Sequence, residues 1–165
     1  LVADTNVQDF PTPERLVNVS ISCVRVAKLF GFDPKVAFLS HSTFGKPVSK
    51  NTKHVRDAIE LLKRKSVDFD FDGEMQPDVA LNPIYQEIYP FSKIVGKANI
   101  LIMPALHSAA ISTKLMKTFG GAKLIGPLLI GLGMPIEVAP LRSSTSDILN
   151  LASIAAYSSD VIDYK

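Results

Sequence analysis

The chain has 165 residues, of which 47% are hydrophobic and 21% are charged. This balance predicts one folded domain, or one lobe of a larger protein, and excludes a disordered chain. The net charge of +2, with no basic stripe interleaved with aromatic residues, argues against a nucleic-acid partner. The single cysteine, Cys23, excludes an internal disulfide framework and a cysteine-based zinc cluster, and we expect it to be buried.

The apolar segments and the start of the chain argue against a membrane partner. The longest apolar stretch, 124–140, is interrupted by glycines and prolines and is too short to cross a bilayer. No signal-peptide pattern is visible, so we expect a cytoplasmic protein. Because the chain opens on Leu1 rather than Met, we expect it to be a piece of a longer polypeptide.

Strand and helix patterns alternate along the chain. Thr12, Pro13 and Glu14 predict the start of a first helix, and Gly31 predicts its end. Further helices are predicted at about 50–65, 77–89, 108–119 and 145–164, and strands at 1–5, 35–40, 67–71 and 99–103. Two short apolar segments, 124–130 and 136–138, flank a turn. The alternation predicts an α/β fold, a mostly parallel sheet with helices on both faces.

The first candidate site is the loop that follows the second strand. Ligands of such sheets gather at the carboxyl ends of the strands. This loop supplies three hydroxyls, a flexible glycine and a cation ahead of a helix N-terminus, which is chemistry that suits phosphate or pyrophosphate. An ordinary hydrophilic loop is the alternative, because neither common phosphate-binding glycine motif is present. The candidate ligand-binding residues are Ser40, Ser42, Thr43, Gly45 and Lys46.

The second candidate site precedes the last helix. Arg142 is suited to pair with a phosphate, and Asp147 is suited to act as a base toward a thiol or hydroxyl. Ser144 and Asp147 also have the spacing of an N-cap residue and its partner three residues later. Capping and ligand contact therefore both remain open for this pair.

The histidines and the acidic cluster are predicted not to bind metal. The three histidines lack the helical spacing of metal ligands and are interpreted as surface or cleft hydrogen-bonding groups: His41, His54 and His107. The acidic residues lack the spacing of a calcium loop and are interpreted as a solvated strand edge: Asp68, Asp70, Asp72, Glu74 and Asp78.

Four motifs resemble those of phosphate acetyl/butyryl transferases. They are SHSTFG at 40–45, FDGEMQPDVA at 71–80, VGKANILIMP at 95–104 and IGPLLIGL at 125–132. The order and spacing of the motifs follow the family over nearly the whole chain. Their forms are most similar to the C-terminal phosphotransacetylase-like region of large bacterial NADP-dependent malic enzymes.

The resemblance implies a lobe like those of isocitrate and isopropylmalate dehydrogenases, with an acyl-CoA held between two lobes. The chain would be the C-terminal half of the phosphotransacetylase-like domain. Residues 1–139 would form one lobe, and 140–165 would return to the other lobe with the last helix. We also expect the protein to form a dimer through this domain.

The chain departs from the family at the residues that perform transfer. Active transferases carry S-R-G-C-S-x-x-D before the last helix, and the Asp of that motif matches Asp147. Pro140 and Leu141 stand at the positions of the Ser and the Arg, and Arg142 is displaced by one position. The family's D-x-x-N motif is also changed, to His107 and Ala110.

These departures favour a domain that binds acetyl-CoA as an effector and has lost transferase chemistry. The resemblance implies a parent that oxidatively decarboxylates malate to pyruvate, with NADP and a divalent metal bound only in an upstream malic enzyme domain. No cofactor or metal is expected in this domain. Two alternatives remain: an active phosphate acetyltransferase that uses Asp147 as its base, and a structural domain that mainly forms a dimer.

Overall fold

The computed structural model describes residues 1–121 and 124–161. The strands are β1 (Val2–Ala3), β2 (Lys35–Leu39), β3 (Asp70–Met75) and β4 (Ile100–Ile102). The helices are α1 (Pro13–Leu29), α2 (Lys53–Lys63), α3 (Pro77–Leu81), α4 (Pro83–Gln86), α5 (Leu106–Phe119) and α6 (Thr145–Val161). A short 3-10 turn, Lys50–Thr52, precedes α2. The chain forms two compact units, Leu1–Ile111 and a second unit that begins at Ser112.

The four strands form one parallel sheet in the order β1-β4-β2-β3. The central pairing aligns Val36 with both Phe71 and Ile100. Because every strand runs the same way, all four carboxyl ends lie along one edge of the sheet. The polar loop after β2 therefore lies at the same edge as the ends of β3 and β4.

Each face of the sheet carries its own apolar core, because successive side chains of a strand point to opposite faces. One face buries Val36 and Phe38 of β2 against α1 and α2. The other buries Ala37 and Leu39 against α3 and the start of α5. The buried positions of β2 are almost continuous, as expected for a strand covered on both faces. The predicted α/β fold, a parallel sheet with helices on both faces, is confirmed.

Local signals predicted α1 well. Thr12 caps it by accepting a hydrogen bond from the N–H of Arg15 at 3.3 Å, and Pro13 is its first residue. Gly31, just beyond its end, has a φ of +76°, a conformation that glycine adopts without steric cost. Cys23 lies buried on this helix, as expected.

Two predicted elements differ from the structure. The predicted strand at 67–71 is wrong in position, because β3 begins at Asp70 and continues through the Asp-Gly-Glu sequence to Met75. The predicted helix at 77–89 is two short helices, since Pro83 begins α4 and cannot continue α3.

The second unit contains the last helix and the segment before it. Leu128 and Glu137 form an isolated antiparallel bridge between the two predicted apolar segments. Partial burial raises the pKa of the Glu137 carboxyl above its ordinary value. The helix α6 begins at Thr145, as predicted, and its predicted end at Tyr164 lies outside the described residues. Within 1–121 and 124–161, no helix combines the length and apolarity needed to span a bilayer.

Candidate functional site

The loop after β2 forms a tight two-residue turn at the carboxyl edge of the sheet. Thr43 and Lys46 exchange backbone hydrogen bonds of 2.8 and 3.1 Å. The two residues between them, Phe44 and Gly45, have φ values of +47° and +85°. Two successive positive φ values are the signature of a type I′ turn, which favours glycine at its second central position. The turn leaves the Lys46 side chain exposed.

The centre of this site is the buried carboxylate of Glu74, near the end of β3. Glu74 is only 1% exposed. Its Oε1 accepts hydrogen bonds from the Ser42 hydroxyl at 2.7 Å, the Gly45 N–H at 3.1 Å and Arg56 Nη1 at 3.2 Å. A buried carboxylate needs such compensation, because losing its hydration shell is costly. One oxygen therefore joins β3, the loop and α2.

Arg56 extends this network to the start of α2. Its guanidinium donates to Glu74, to the Thr52 hydroxyl and, at 3.1 Å, to the carbonyl of Ser49. The Arg56 side chain is 35% exposed, whereas that of Glu74 is 1% exposed. The two partners of this ion pair therefore differ in exposure: the Glu74 carboxylate is buried, whereas the Arg56 guanidinium is partly exposed to solvent.

The prediction of a solvated acidic strand edge was wrong for two of its residues. Glu74 is buried as described, and Asp72 is only 8% exposed. Asp72 accepts hydrogen bonds from the backbone N–H groups of Gly73 at 2.9 Å and Lys93 at 2.8 Å. Asp68 does fit the prediction: it is exposed and pairs with Lys28. The exposed Lys28 ammonium lowers the pKa of Asp68.

The predicted ligand-binding residues of the loop lie together, and most of their polar groups bond within the protein. Ser42 and Gly45 donate to Glu74. The Thr43 hydroxyl accepts from the N–H of Gln76 at 3.1 Å, and the Ser40 hydroxyl accepts from the N–H of Ser42 at 3.5 Å. Within the described part of the chain, Lys46 has no ion-pair partner. Its role in ligand binding stays a prediction, as do those of the other four.

An aromatic cluster stands beside the loop. The ring of Phe44 lies 5.3 Å from that of Tyr89 and 4.9 Å from that of Phe91, measured between centroids. These contacts anchor Phe44, whose N–H also donates to the Glu74 carbonyl at 2.7 Å. The turn is thus held both by the aromatic contacts of Phe44 and by hydrogen bonds to Glu74.

The histidines have different surroundings. His54 Nε2 is 2.9 Å from the carbonyl oxygen of Pro104, just after β4, so it is a hydrogen-bonding group as predicted. His41 and His107 are exposed. No group of three His, Cys, Asp or Glu side chains suited to a metal ion occurs in residues 1–121 and 124–161.

The second candidate segment lies in the other unit and forms a capping box. Asp147 Oδ2 accepts from the Ser144 N–H at 2.9 Å and from its hydroxyl at 2.7 Å, and the Asp147 N–H donates to the Ser144 hydroxyl at 3.2 Å. The predicted capping role of this pair is confirmed. Arg142 and Ser144 are exposed, and Leu141 is fully exposed. The ligand-binding roles of Arg142 and Ser144 stay predictions.

The family model for phosphate acetyl/butaryl transferases matches residues 1–156. The chain belongs to this family. The sequence resemblance is thereby confirmed. Two parts of the family match carry the site described above: the SHSTFG loop supplies Ser42 and Gly45, and the DGE sequence supplies the carboxylate that holds them. Sequence reasoning missed Glu74 and Arg56 as site residues, although the DGE motif could have indicated the first.

Curated relatives include both malic enzymes and transferases. The chain is 49% identical over 157 residues to an NADP-dependent malic enzyme of Rhizobium meliloti, covering 95% of this chain and 21% of that protein. It is 35% identical over 155 residues to a phosphate acetyltransferase of Bacillus subtilis, covering 93% of this chain and 48% of that protein. The chain therefore spans about a fifth of such malic enzymes and about half of such transferases.

Solved structures support the fold. A phosphotransacetylase from Streptococcus pyogenes matches with a TM-score of 0.90 and 35% identity, covering 96% of this chain and 49% of that one. A phosphotransacetylase from Staphylococcus aureus matches with a TM-score of 0.89 and 31% identity, covering 96% and 49%. The likeness to an isocitrate or isopropylmalate dehydrogenase lobe stays a prediction.

Proposed function

We propose that this chain is the acetyl-CoA-binding regulatory domain of an NADP-dependent malic enzyme, and that its transferase chemistry is lost. The observation that supports the loss is the pair Pro140-Leu141, which the sequence resemblance places where transferases carry Ser-Arg. Pro140 has no N–H or side-chain donor, and Leu141 has no charge to offset a transferring group. Losing one electrostatic contact of this kind typically lowers turnover about 10² to 10³-fold.

The sequence identity with malic enzymes supports the proposal that the parent protein is a malic enzyme. The match to the Rhizobium meliloti protein exceeds the match to the Bacillus subtilis transferase, at 49% against 35% identity. In such a parent, an upstream domain would hold NADP and a divalent metal and convert malate to pyruvate. Acetyl-CoA would regulate that domain only by binding one of its arrangements better than another.

Binding survives the loss of turnover because it uses other groups. Lys46 presents an exposed cation at the carboxyl edge of the sheet, where parallel sheets bind ligands. The phosphates of a coenzyme A thioester are complementary to that cation. Separately, Arg142 and Ser144 of the second unit are proposed as residues that bind a phosphate group.

Calorimetric titration of the intact protein with acetyl-CoA tests this proposal. We expect saturable binding in the wild type and about tenfold weaker binding in Lys46→Ala, because a charge-assisted contact to phosphate is lost. The matched control is Lys28→Ala, which removes a lysine paired with Asp68 at the opposite, amino end of β3, and it should bind normally. Absence of saturable heat in the wild type contradicts the proposal.

An active phosphate acetyltransferase is the second candidate. It is favoured by the retained Asp147 and by the Bacillus subtilis relative. The same Asp147 oxygen, however, accepts two hydrogen bonds from Ser144. In this candidate, the Asp147 carboxylate would serve both as the helix cap and as the base. Acetyl transfer between acetyl phosphate and CoA separates this candidate from the regulatory one.

Dimerisation through this domain is compatible with either function. Ile148 and Leu149 on α6 are 51% and 61% exposed, and burying such side chains against a second copy is favourable. Sedimentation of the wild type and of Leu149→Ser tests it. A dimer that weakens in the variant supports this interface, and a dimer unaffected by the variant contradicts it.

A further inference from the structure

We propose that Glu74 is a positioning residue that holds the 40–46 loop in the form that binds acetyl-CoA. This inference rests on the proposed function, because it assigns a role within the same site. Glu74 is the most buried charged side chain among the described residues. The sequence analysis did not predict the contacts of Glu74 with the loop or with α2.

The geometry of one oxygen carries the argument. Glu74 Oε1 accepts from two donors of the loop, Ser42 and Gly45, and from Arg56 of α2. These donors are 32, 29 and 18 residues away along the chain. Hydrogen bonds to a charged acceptor are stronger than neutral ones, and more so away from water. Three such bonds at one atom fix the loop to β3 and α2 together.

The burial of Glu74 argues for positioning rather than for catalysis. A group that touches a substrate must reach it, and Glu74 is 1% exposed. All three groups on Oε1 are donors, so the carboxylate already has partners that stabilise its charge. Its influence on a ligand must therefore pass through the residues that it holds.

The contacts of Glu74 fix the conformation of the turn formed by Thr43, Phe44, Gly45 and Lys46. The Glu74 carbonyl accepts from the N–H of Phe44, so the two central residues of the turn both bond to Glu74. Lys46, which closes the turn, is exposed. Glu74 therefore fixes the backbone from which the Lys46 side chain extends, without touching the ligand. Preorganisation of this kind raises affinity because the loop does not have to be ordered on binding.

Glu74→Gln tests the inference, because it keeps the size of the side chain and removes its charge. Asp68→Asn is the matched control, a carboxylate-to-amide change at an exposed ion pair near the amino end of β3. In the intact protein, we expect amide hydrogen exchange of the 40–46 segment to become at least about tenfold faster in Glu74→Gln. Exchange within α1 should stay at the wild-type rate, and Asp68→Asn should change neither segment.

The affinity for acetyl-CoA is the second readout, and a purely structural role would not change it. We expect about tenfold weaker binding in Glu74→Gln and normal binding in Asp68→Asn. The double variant Ser42→Ala/Glu74→Gln should bind no more weakly than Glu74→Gln, since both changes release the same contact. Wild-type loop exchange in Glu74→Gln, or normal affinity despite a released loop, overturns the inference.

Two other results, a Glu74→Gln variant that does not fold and a wild type that does not bind acetyl-CoA, can also be interpreted. If Glu74→Gln fails to fold, Ser42→Ala removes one donor while keeping the ion pair, and its loop exchange and affinity decide in the same way. If the wild type itself does not bind acetyl-CoA, the proposed function fails, together with the ligand part of this inference. The hold on the loop is still decided by hydrogen exchange.

Discussion

The loop after β2 illustrates how polar residues can serve the fold at a position that resembles a ligand site. Its glycine is needed for its backbone conformation: Gly45 has a φ of +85°, and an added Cβ would meet nothing within 4 Å. Gly73 of the DGE sequence is needed for its backbone conformation and also because there is no room for a larger side chain. A Cβ there would lie 2.6 Å from the Phe38 carbonyl oxygen of β2, closer than atoms can pack.

Alanine at these glycines should destabilise the protein by different amounts. We expect Gly45→Ala to lower the free energy of unfolding by about 1 kcal/mol, because only the positive φ is strained. Gly73→Ala should cost about 3 kcal/mol, because β2 or β3 must also shift. Urea denaturation measures both. Gly133, where a Cβ would also meet open space and no positive φ is found, is the control and should be nearly neutral. Equal effects at Gly45 and Gly73 would contradict this account.

Cys23 makes the stability depend on pH in the alkaline range. Burial raises the pKa of its thiol from 9.0 to about 11. The unfolded chain therefore loses this proton at a lower pH than the folded chain, so the contribution is fully present below pH 9 and declines between about pH 9 and 11. We expect the wild type to lose about 2 kcal/mol more than Cys23→Ala over this interval. Urea denaturation at pH 8 and pH 11 measures this, and parallel losses in the two proteins would contradict it.

The elements differ in how much of each could be predicted from sequence. The helix α1 was predicted because its signals are local: Thr12 and Pro13 at the start and Gly31 after the end. The strand β3 was misplaced because Asp-Gly-Glu has the composition of a polar turn. Its carboxylates are buried only because partners from distant segments, such as Lys93 and Arg56, compensate them. Local periodicity carries no information about such contacts.

The capping box of α6 predicts an effect confined to that helix. Ser144→Ala removes the hydroxyl that accepts from the Asp147 N–H and donates to its carboxylate. We expect a loss of about 1 kcal/mol in unfolding free energy and faster amide exchange in the first turn of α6. Thr145→Ala, at an exposed position of the same turn, is the control and should have little effect. Unchanged exchange in Ser144→Ala would show that the cap contributes nothing measurable.

At the scale of the whole molecule, the alternation of strands and helices was sufficient to predict the sheet. A parallel sheet in turn places the ends of β2, β3 and β4 along one edge, where such sheets bind ligands, and the role of the loop as a ligand site stays a prediction. The sequence could not predict which side chains of that loop point inward. Ser42 is completely buried, whereas His41 beside it is exposed. This difference in burial comes from the packing around Glu74, to which Ser42 donates a hydrogen bond.

The central claim is that the chain binds acetyl-CoA without transferring its acetyl group at an enzymatic rate. The most direct test is the initial rate of acetyl-CoA formation from acetyl phosphate and CoA by the intact protein. We predict a rate below about 0.1 per second, 10²-fold under the median enzymatic turnover of about 10 per second, because the sequence resemblance implies that Pro140 and Leu141 stand where active transferases carry Ser and Arg. A turnover of about 1 per second or more, as in ordinary enzymes, would contradict the account.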